Sequence, residues 1–264
     1  MPNITAFVQE NASVVQNTPI SDGVYLMRLA APHIAQNIQP AQFVQVLTDP
    51  GLSPFLRRPF SALRVQGHTF DIIYDVIGPG TERMQRAQNG DTFNVSGPMG
   101  QPFLPPKSKR ILLVAGGVGL VPLAFLAWQH PDRRADMVYL MGAASGSRMP
   151  DMRALLPEDL TRYLATDDGS LGHAGFVTEL IEAHILPGET TLFTCGPHPM
   201  MARVAAIAAK MDVPCFASLE NHMACGFGAC VGCVIEFMNY ETEDARYRRA
   251  CLEGPVVDAH AIVW

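Results

Sequence analysis

Three cysteines stand close together in the segment HMACGFGACVGCVIEF, residues 222–237, with three glycines among them. The spacing is C-x4-C-x2-C, and a fourth cysteine follows after seventeen further residues. This is the ligand spacing of plant-type [2Fe-2S] clusters, in which four thiolates hold two irons. The pattern therefore predicts four metal ligands, namely Cys225, Cys230, Cys233 and Cys251.

Two other interpretations of these thiols stay open at the level of sequence. A structural zinc site usually combines two separated C-x2-C pairs, whereas here the two steps share Cys230. Alternatively, the four residues are unliganded core cysteines. The glycines favour the cluster, because glycine tolerates positive φ and lets backbone N–H groups approach sulfur. Cys215 lies in the apolar run VPCFASL and is predicted to be a buried apolar residue.

Composition narrows the classes of partner. The 264 residues carry a formal net charge of -6, with 48% hydrophobic and 17% charged residues, as in a globular protein. Without a long basic run, neither nucleic acid nor an anionic membrane surface is expected as the main partner. The first 30 residues lack a signal-peptide pattern, and no apolar run approaches the ~18 residues of a membrane span. A cytoplasmic location is expected, where thiols bind metals more often than they pair.

Three segments must position these residues. Residues 1–105 contain short β-branched or alternating runs separated by turn residues, which predicts an antiparallel β-barrel. A proline-rich stretch, QPFLPPKSKR, reads as a linker. In residues 106–212 strands alternate with helical patterns, including GFVTELIEAHI, which predicts a parallel α/β domain. Residues 213–264 form a small third segment that the cysteines could staple.

The barrel segment holds two candidate phosphate and ring contacts. In LRRPFSAL, Arg58 and Phe60 share one face of a predicted strand, with Ser61 beside them. In GPGTERMQ, Thr81 is a good N-cap, and a helix N-terminus presents free N–H groups to a phosphate. Each motif also has a plain interpretation, an ordinary strand and an ordinary capped helix. Together they indicate a dinucleotide site.

The α/β segment holds two strand-to-turn motifs. LLVAGGVGLVPLAFLA combines a buried strand, the glycines Gly116, Gly117 and Gly119, and a helix, but it is not a full G-x-G-x-x-G pattern. TLFTCGPHPMM ends another strand in the same way. Ligands bind beyond the carboxyl ends of parallel strands, so both turns should face one crevice. A nicotinamide nucleotide is predicted there, near Cys195, Gly196 and Pro197, although tight packing turns would look alike.

Eight sequence blocks occur in the order of one known family and span nearly the whole chain. They are QFVQV, RRPFS, GPGT, GGVGLVPL, TDDGSLGHAGFVTEL, CGPHPMM, SLENHMACGFGACVGC and CLEGPVVDAHAIVW. The chain resembles the electron-transfer subunits of class 1B dihydroorotate dehydrogenases, members of the ferredoxin-NADP reductase superfamily with an added [2Fe-2S] domain. The last two blocks are the specific ones, since simple reductases lack them.

The resemblance implies a set of FAD-binding positions in this chain. They are Arg58, Pro59, Phe60, Ser61, Ile73, Tyr74, Asp75, Gly80 and Thr81. It also implies cluster ligation by the four cysteines of the opening motif. One position departs from the family pattern: this chain has Asp75 where members of the family commonly have arginine. A carboxylate there removes a positive charge near the flavin diphosphate.

The resemblance also implies a function in pyrimidine biosynthesis. An FMN-containing partner subunit would oxidise dihydroorotate, and electrons would pass through the [2Fe-2S] cluster and FAD of this chain to NAD+. A flavin suits the middle position, because a cluster carries single electrons and nicotinamide accepts a hydride. No side chain of this subunit is expected to act as a proton-transfer catalyst. The implied assembly is a heterotetramer of two copies of each subunit.

The choice between NAD and NADP depends on few residues. A ribose 2'-phosphate would need clustered basic residues after the second parallel strand, and MGAASGSRM offers Ser145, Ser147 and one arginine, Arg148. The sequence therefore favours NAD. Asp167 and Asp168 could bind a ribose hydroxyl or the partner, although a solvated acidic turn is the plainer interpretation.

Two rival functions remain at this stage. The chain could be the flavin and iron-sulfur subunit of another NAD(P)-linked complex, such as a ferredoxin-NADP transhydrogenase, a sulfide dehydrogenase or a hydrogenase. It could also be a non-catalytic binding module whose cysteines hold zinc. The identity of the partner distinguishes the first rival, and a visible spectrum distinguishes the second, because zinc is colourless.

Overall fold

The computed structural model describes residues 7–51, 53–238 and 246–264. Its N-terminal part is a closed six-stranded antiparallel barrel with the spatial order β1-β2-β5-β4-β3-β6. The strands are β1 (Val8–Ser21), β2 (Val24–Ala30), β3 (Phe43–Leu47), β4 (Arg58–Gln66), β5 (Thr69–Asp75) and β6 (Thr92–Met99). Two helices accompany them, α1 (Pro32–Asn37) and α2 (Pro79–Arg86).

Strand β3 shows why the barrel forms and how it meets the rest of the molecule. Successive side chains of a strand point to opposite faces. Val44 and Val46 lie in the core of the barrel. Phe43, on the other face, lies in a second core together with residues of the central sheet and of the C-terminal segment. The outward face of β3 is therefore an internal interface.

The second part is a seven-stranded sheet in the order β10-β9-β8-β7-β11-β12-β15. Its first six strands are parallel, and β15 pairs antiparallel with β12. The strands are β7 (Arg110–Gly116), β8 (Met137–Ala143), β9 (Thr161–Thr166), β10 (His173–Ala174), β11 (Thr190–Cys195), β12 (Cys215–Ser218) and β15 (Val256–Asp258). The helices are α3 (Leu120–Gln129), α4 (Met152–Leu155) and α5 (His198–Lys210).

Helix α3 lies between the barrel and the sheet. Every residue from Leu120 to Ala127 is buried, as expected of a helix that is covered on all sides. Most of its side chains share a core with Leu63 of β4, while Phe125 lies in the core of the barrel. The guanidinium of Arg64 stacks over Trp128 at 5.5 Å from the ring centroid. The barrel and the sheet are thus held in a fixed relation.

The C-terminal segment is a small unit that shares its core with the rest of the molecule. It contains a two-stranded ribbon, β13 (Val234–Glu236) with β14 (Tyr247–Arg249). Its buried residues, such as Cys233 and Cys251, lie in the same core as Phe43 of the barrel and Leu192 of the sheet. Strands β12 and β15, both within residues 213–264, extend the central sheet.

The expected fold class is confirmed, with two local differences. The pattern GFVTELIEAHI predicted a helix, but the structure has two short 3-10 turns, Val177–Leu180 and Glu182–His184. Its β-branched residues favour a helix only weakly. The predicted linker is anchored, because Phe103 is fully buried against Phe193 with 4.6 Å between ring centroids.

Among the described residues, no helix has the length and apolar character needed to cross a lipid bilayer.

Candidate functional site

One cavity of about 620 Å³ lies between the barrel and the sheet. A cavity of this size is in the range of small-molecule and cofactor sites. All nine positions that the sequence assigned to the flavin line this cavity, together with Cys195. They come from β4, from the end of β5 and from the start of α2, so three elements of the barrel form one wall. The nine residues are Arg58, Pro59, Phe60, Ser61, Ile73, Tyr74, Asp75, Gly80 and Thr81.

One end of the cavity is suited to a phosphate. A methyl group built on Gly80 would come within 3.1 Å of Arg58 Nε and of Thr48 Oγ1, so these groups surround the first turn of α2. The Thr81 hydroxyl accepts from the N–H of Ile77 at 3.0 Å and closes this turn. The first N–H groups of a helix have no partner within it and attract anions. Arg58 adds a positive charge, although its Nη1 donates to the Leu56 carbonyl here.

The residues at this end fit a flavin diphosphate. The Thr48 hydroxyl is buried and has no hydrogen-bond partner in the structure. A buried hydroxyl normally finds a partner, and a phosphate oxygen near Gly80 would supply an acceptor. Tyr74 supports the wall from inside the barrel, since its hydroxyl donates to Asn17 Oδ1 at 2.8 Å. Burial is the largest cause that raises the Tyr74 pKa, so this phenol stays protonated.

Asp75, the position that departs from the family, pairs with an arginine of the α/β part. Arg148 Nη2 lies 2.6 Å from Asp75 Oδ1, and Arg148 Nη1 donates to the Asp22 carbonyl. The ion pair joins the end of β5 to the loop that follows β8. Arg148 was the one basic residue that the sequence offered for a ribose 2'-phosphate, and in the structure its guanidinium instead contacts Asp75 and Asp22 of the barrel.

The two glycine turns of the sheet pack against each other. Strands β7 and β11 are parallel neighbours, with Cys195 opposite Ala115, so both turns leave the sheet at the same edge. A methyl group on Gly119 would clash with the Cys195 carbonyl, and one on Gly196 would come within 2.8 Å of the Gly116 carbonyl oxygen. This close approach explains these glycines.

Of these predicted nucleotide positions, only Cys195 lines the cavity. The other five positions do not line it; they are Gly116, Gly117, Gly119, Gly196 and Pro197. The neighbouring Val118, and Val121 and Pro122 at the start of α3, do line it. Burial, followed by the charge of Glu220, raises the Cys195 pKa well above its ordinary value, so this residue is a neutral thiol.

Sequence reasoning missed the opposite wall of the cavity. Residues 218–223, which run from the last residue of β12 to the start of the cysteine loop, all line it. They sit beyond the carboxyl end of a parallel strand, which is the signal that could have found them. Glu220 faces the open cavity but has protein on its other sides, and burial, followed by the charge of Asp75, raises its pKa.

The cysteine loop, residues 224–233, begins directly after this wall. Cys230 is exposed and Cys225 partly exposed, whereas Cys233 and Cys251 are buried. The four thiols approach one another in two pairs. The Cys230 N–H donates to Cys225 Sγ at 3.4 Å, and Cys233 lies close enough to Cys251 to raise the pKa of its thiol. Across the described part of the chain, no three metal-ligating side chains converge as a preformed metal site.

Two of the thiols, those of Cys225 and Cys251, differ in acidity. Burial acts to raise the pKa of Cys225, but hydrogen bonds from loop N–H groups, that of Cys230 first, outweigh it and lower the pKa to about 7. Burial, followed by the hydrogen bond with Cys233, raises the pKa of Cys251 to about 12. Cys225 is therefore ready to bind a metal near neutral pH, whereas Cys251 must lose its proton to do so.

The surroundings of the loop fit an all-thiolate iron-sulfur cluster. The potential donors are four sulfurs, three from the cysteine loop and one from the distant Cys251, without histidine or carboxylate. Arg249 holds the loop by donating to the Gly228 carbonyl at 3.2 Å, and its charge lies near Cys251 and Cys233. A buried amide with no partner, that of Gln45, faces Gly226 of the loop. Positive charge and N–H donors stabilise the anionic sulfurs of such clusters.

Comparison with protein families and curated proteins points in one direction. Residues 220–263 match the iron-sulfur cluster binding domain of dihydroorotate dehydrogenase B. The chain is 34% identical over 259 residues to the electron transfer subunit of dihydroorotate dehydrogenase B (NAD(+)) from Desulforamulus reducens, covering 96% of this chain and 98% of that protein. The corresponding subunit from Geobacillus thermodenitrificans is 36% identical, with 97% and 98% covered.

Solved structures share the fold at lower identity. A chain of an NADH-dependent reduced ferredoxin-NADP oxidoreductase, solved in a study of flavin-based electron bifurcation, superposes with a TM-score of 0.83 at 23% identity, covering 96% of this chain and 90% of that chain. A ferredoxin NADP+ reductase from Neisseria gonorrhoeae with bound FAD and NADP gives a TM-score of 0.64 at 17% identity, covering 77% of this chain and 91% of that chain. Both show the fold.

Proposed function

The chain belongs to the family of dihydroorotate dehydrogenase B electron transfer subunits, and from this premise we propose that it carries electrons from a dihydroorotate-oxidising partner to NAD+. It would do so with one FAD in the cavity and one [2Fe-2S] cluster in the cysteine loop. A cluster exchanges single electrons and a flavin can also exchange a hydride, which is the chemistry that the two groups supply when bound.

In this proposal the barrel binds and orients the flavin. Arg58, Gly80 and Thr81 hold the diphosphate end through one positive charge and the free N–H groups at the start of α2. Pro59, Phe60, Ser61, Ile73 and Tyr74 form the wall beside the ring. Asp75 acts as a partner of Arg148 rather than as a phosphate contact.

The α/β part would bring NAD+ to the same cavity. The turns after β7 and β11 open at one edge, and the neutral Cys195 thiol and Glu220 face the cavity from that side. Gly116, Gly117, Gly119, Gly196 and Pro197 would shape these turns from behind. The engagement of Arg148 by Asp75 and Asp22 favours NAD over NADP, because a 2'-phosphate would have to compete for that guanidinium.

The C-terminal segment would hold the cluster through Cys225, Cys230, Cys233 and Cys251. Cys230 is exposed, so this end of the path opens towards solvent, where a partner subunit can dock. We infer that the partner carries FMN, that two copies of each subunit assemble, and that the complex works in the cytoplasm.

The observation that carries the proposal is the continuity of the two sites. Residues 218–223 line the flavin cavity, and the cysteine loop starts at the next residue. The end of one proposed site is covalently joined to the start of the other, so two redox groups bound there would be neighbours. This arrangement suits electron transfer better than two independent binding functions.

The test is anaerobic purification of the chain, alone and with the candidate partner. We expect one FAD, two irons and two acid-labile sulfides per chain, and reduction of NAD+ by dihydroorotate only when both subunits are present. Colourless protein with stoichiometric zinc would refute the proposal. A native complex whose partner does not oxidise dihydroorotate would favour another NAD(P)-linked complex.

A further inference from the structure

Gln45 is a buried polar residue at the boundary between the barrel and the cysteine loop. It lies in the middle of β3, and its side chain has no exposed surface. Neither Nε2 nor Oε1 has a hydrogen-bond partner in the structure. Buried amides are nearly always paired, because an unpaired one has lost its water without compensation. The amide therefore indicates a partner that is not a protein group.

The position of Gln45 identifies the direction of that partner. Gln45 stands opposite Pro59 of β4, and Phe43 precedes it by two residues on the same face of β3; both neighbours line the flavin cavity. On its other side lies the cysteine loop. A methyl group on Gly226 would come within 2.8 Å of both Cγ and Nε2 of Gln45. Gln45 thus lies between the two cofactor sites, in contact with the residue that follows Cys225.

We propose that Gln45 donates a hydrogen bond through Nε2 to a sulfur of the cluster held by the cysteine loop, and that this bond raises the reduction potential of the cluster. The inference rests on the proposed function, because it requires that the loop holds the cluster. Thiolate and sulfide sulfurs accept hydrogen bonds and do not donate, so the NH2 end of the amide must face them.

The effect on potential follows from charge. Reduction adds one electron to the cluster, and a donor aimed at sulfur stabilises the more negative state more than the oxidised one. Gln45 achieves this without a buried charge of its own. Because β3 also forms part of the flavin wall through Phe43, the donor is fixed to the element that positions the electron acceptor.

The test compares Gln45→Met with wild type in the iron-loaded holoprotein. Methionine matches the length of glutamine and removes both polar atoms. We expect a three- to tenfold fall in the ratio of reduced to oxidised cluster at a fixed potential, which is about 30 to 60 mV at ~59 mV per tenfold for one electron. The flavin potential should not change. Met99→Leu is the matched control, since Met99 Sδ faces the same Gly226 and donates nothing.

A second measurement detects the bond directly. Electron-nuclear double resonance of the reduced cluster in H2O and D2O should show an exchangeable proton that Gln45→Met lacks and Met99→Leu retains. Fully loaded Gln45→Met with unchanged potential and unchanged proton couplings would overturn the inference.

The cluster-free chain provides a third comparison. Because both amide atoms are unpaired without the cluster, Gln45→Met should unfold at the same temperature as wild type or higher. Lower stability of the cluster-free variant would mean that the amide has a structural partner, which also overturns the inference. Wild-type protein that contains no iron or sulfide would refute the proposed function instead.

Discussion

The flavin cavity and the cysteine loop are built in opposite ways. The wall of the cavity consists of β4, β5 and α2, whose backbones are fixed by ladder and helix hydrogen bonds, and nine expected residues converge there without a ligand. The cysteine loop lies outside regular structure, and among the described residues no three metal-ligating side chains converge on one point. Regular elements can preorganise a site before the ligand arrives, whereas a loop of ligands takes its final geometry from the metal.

The largest effect should come from the loop. Replacing one thiolate, as in Cys230→Ser, leaves three ligands for a cluster that needs four. We expect turnover with dihydroorotate and NAD+ in the complex to fall more than about hundredfold, because even groups around the ligands are worth ten- to hundredfold. Reduction of bound FAD by NADH should persist, because the cavity does not depend on the loop for its walls.

Cys215→Ala is the matched control for that experiment, since Cys215 is a buried cysteine of β12 that is not one of the four proposed cluster ligands. It should retain iron and turnover. Unchanged turnover in Cys230→Ser would mean that electrons do not pass through the loop, and the contrast between the two regions would lose its functional meaning.

The next largest effect should come from the flavin cavity, whose wall is preorganised. Arg58→Ala removes a cation that lines the cavity beside the start of α2, and a charge-assisted hydrogen bond is worth roughly 1.5 to 3 kcal/mol. Flavin affinity should fall about ten- to hundredfold, measured by fluorescence titration of the deflavinated protein. Iron content should not change.

Arg86→Ala, an exposed substitution at the other end of the same helix, controls for the loss of one arginine. Equal flavin affinity in Arg58→Ala and Arg86→Ala would show that the cavity holds the cofactor through packing alone.

The same contrast explains what the sequence could predict. The type and order of the elements followed from periodicity, and the cavity-lining residues Arg58, Phe60 and Ser61 followed from a motif on a strand. Residues 218–223 were missed because their place depends on which strands are neighbours, and strand order is not local information. Gln45 could not have been found either, since its meaning lies in a contact with Gly226, 181 positions away.

The Asp75–Arg148 ion pair offers a smaller, sharper test of the join between barrel and sheet. Both side chains are partly exposed, so the pair adds little stability. Asp75→Asn should free the Arg148 side chain for a ribose 2'-phosphate and raise the efficiency with NADPH relative to NADH severalfold. Steady-state kinetics of flavin reduction with NADH and NADPH would measure this ratio.

Arg148→Ala in the Asp75→Asn background should abolish the gain, because the guanidinium is then missing. An unchanged ratio of NADPH to NADH efficiency in both variants would mean that other residues bind the nucleotide ribose, with Asp167 and Asp168 after β9 as the next candidates.

The smallest effect concerns Glu220, which joins the two regions. Burial, followed by the charge of Asp75, raises its pKa in the folded protein, so the folded state favours the protonated carboxyl over the carboxylate. The stability that this group contributes is full below its unfolded pKa of about 4.3 and is lost as pH rises through the folded value.

Glu220→Gln removes this pH-dependent loss of stability, because glutamine does not ionise. Because Glu220 is exposed to solvent in the cavity, the effect is small: the variant should melt slightly higher than wild type at pH 8, with a gap that narrows towards pH 5. Thermal unfolding across this range measures the gap, and the exposed Glu158→Gln controls for one lost charge. A gap that is constant with pH would show that the carboxylate is fully solvated in the cavity.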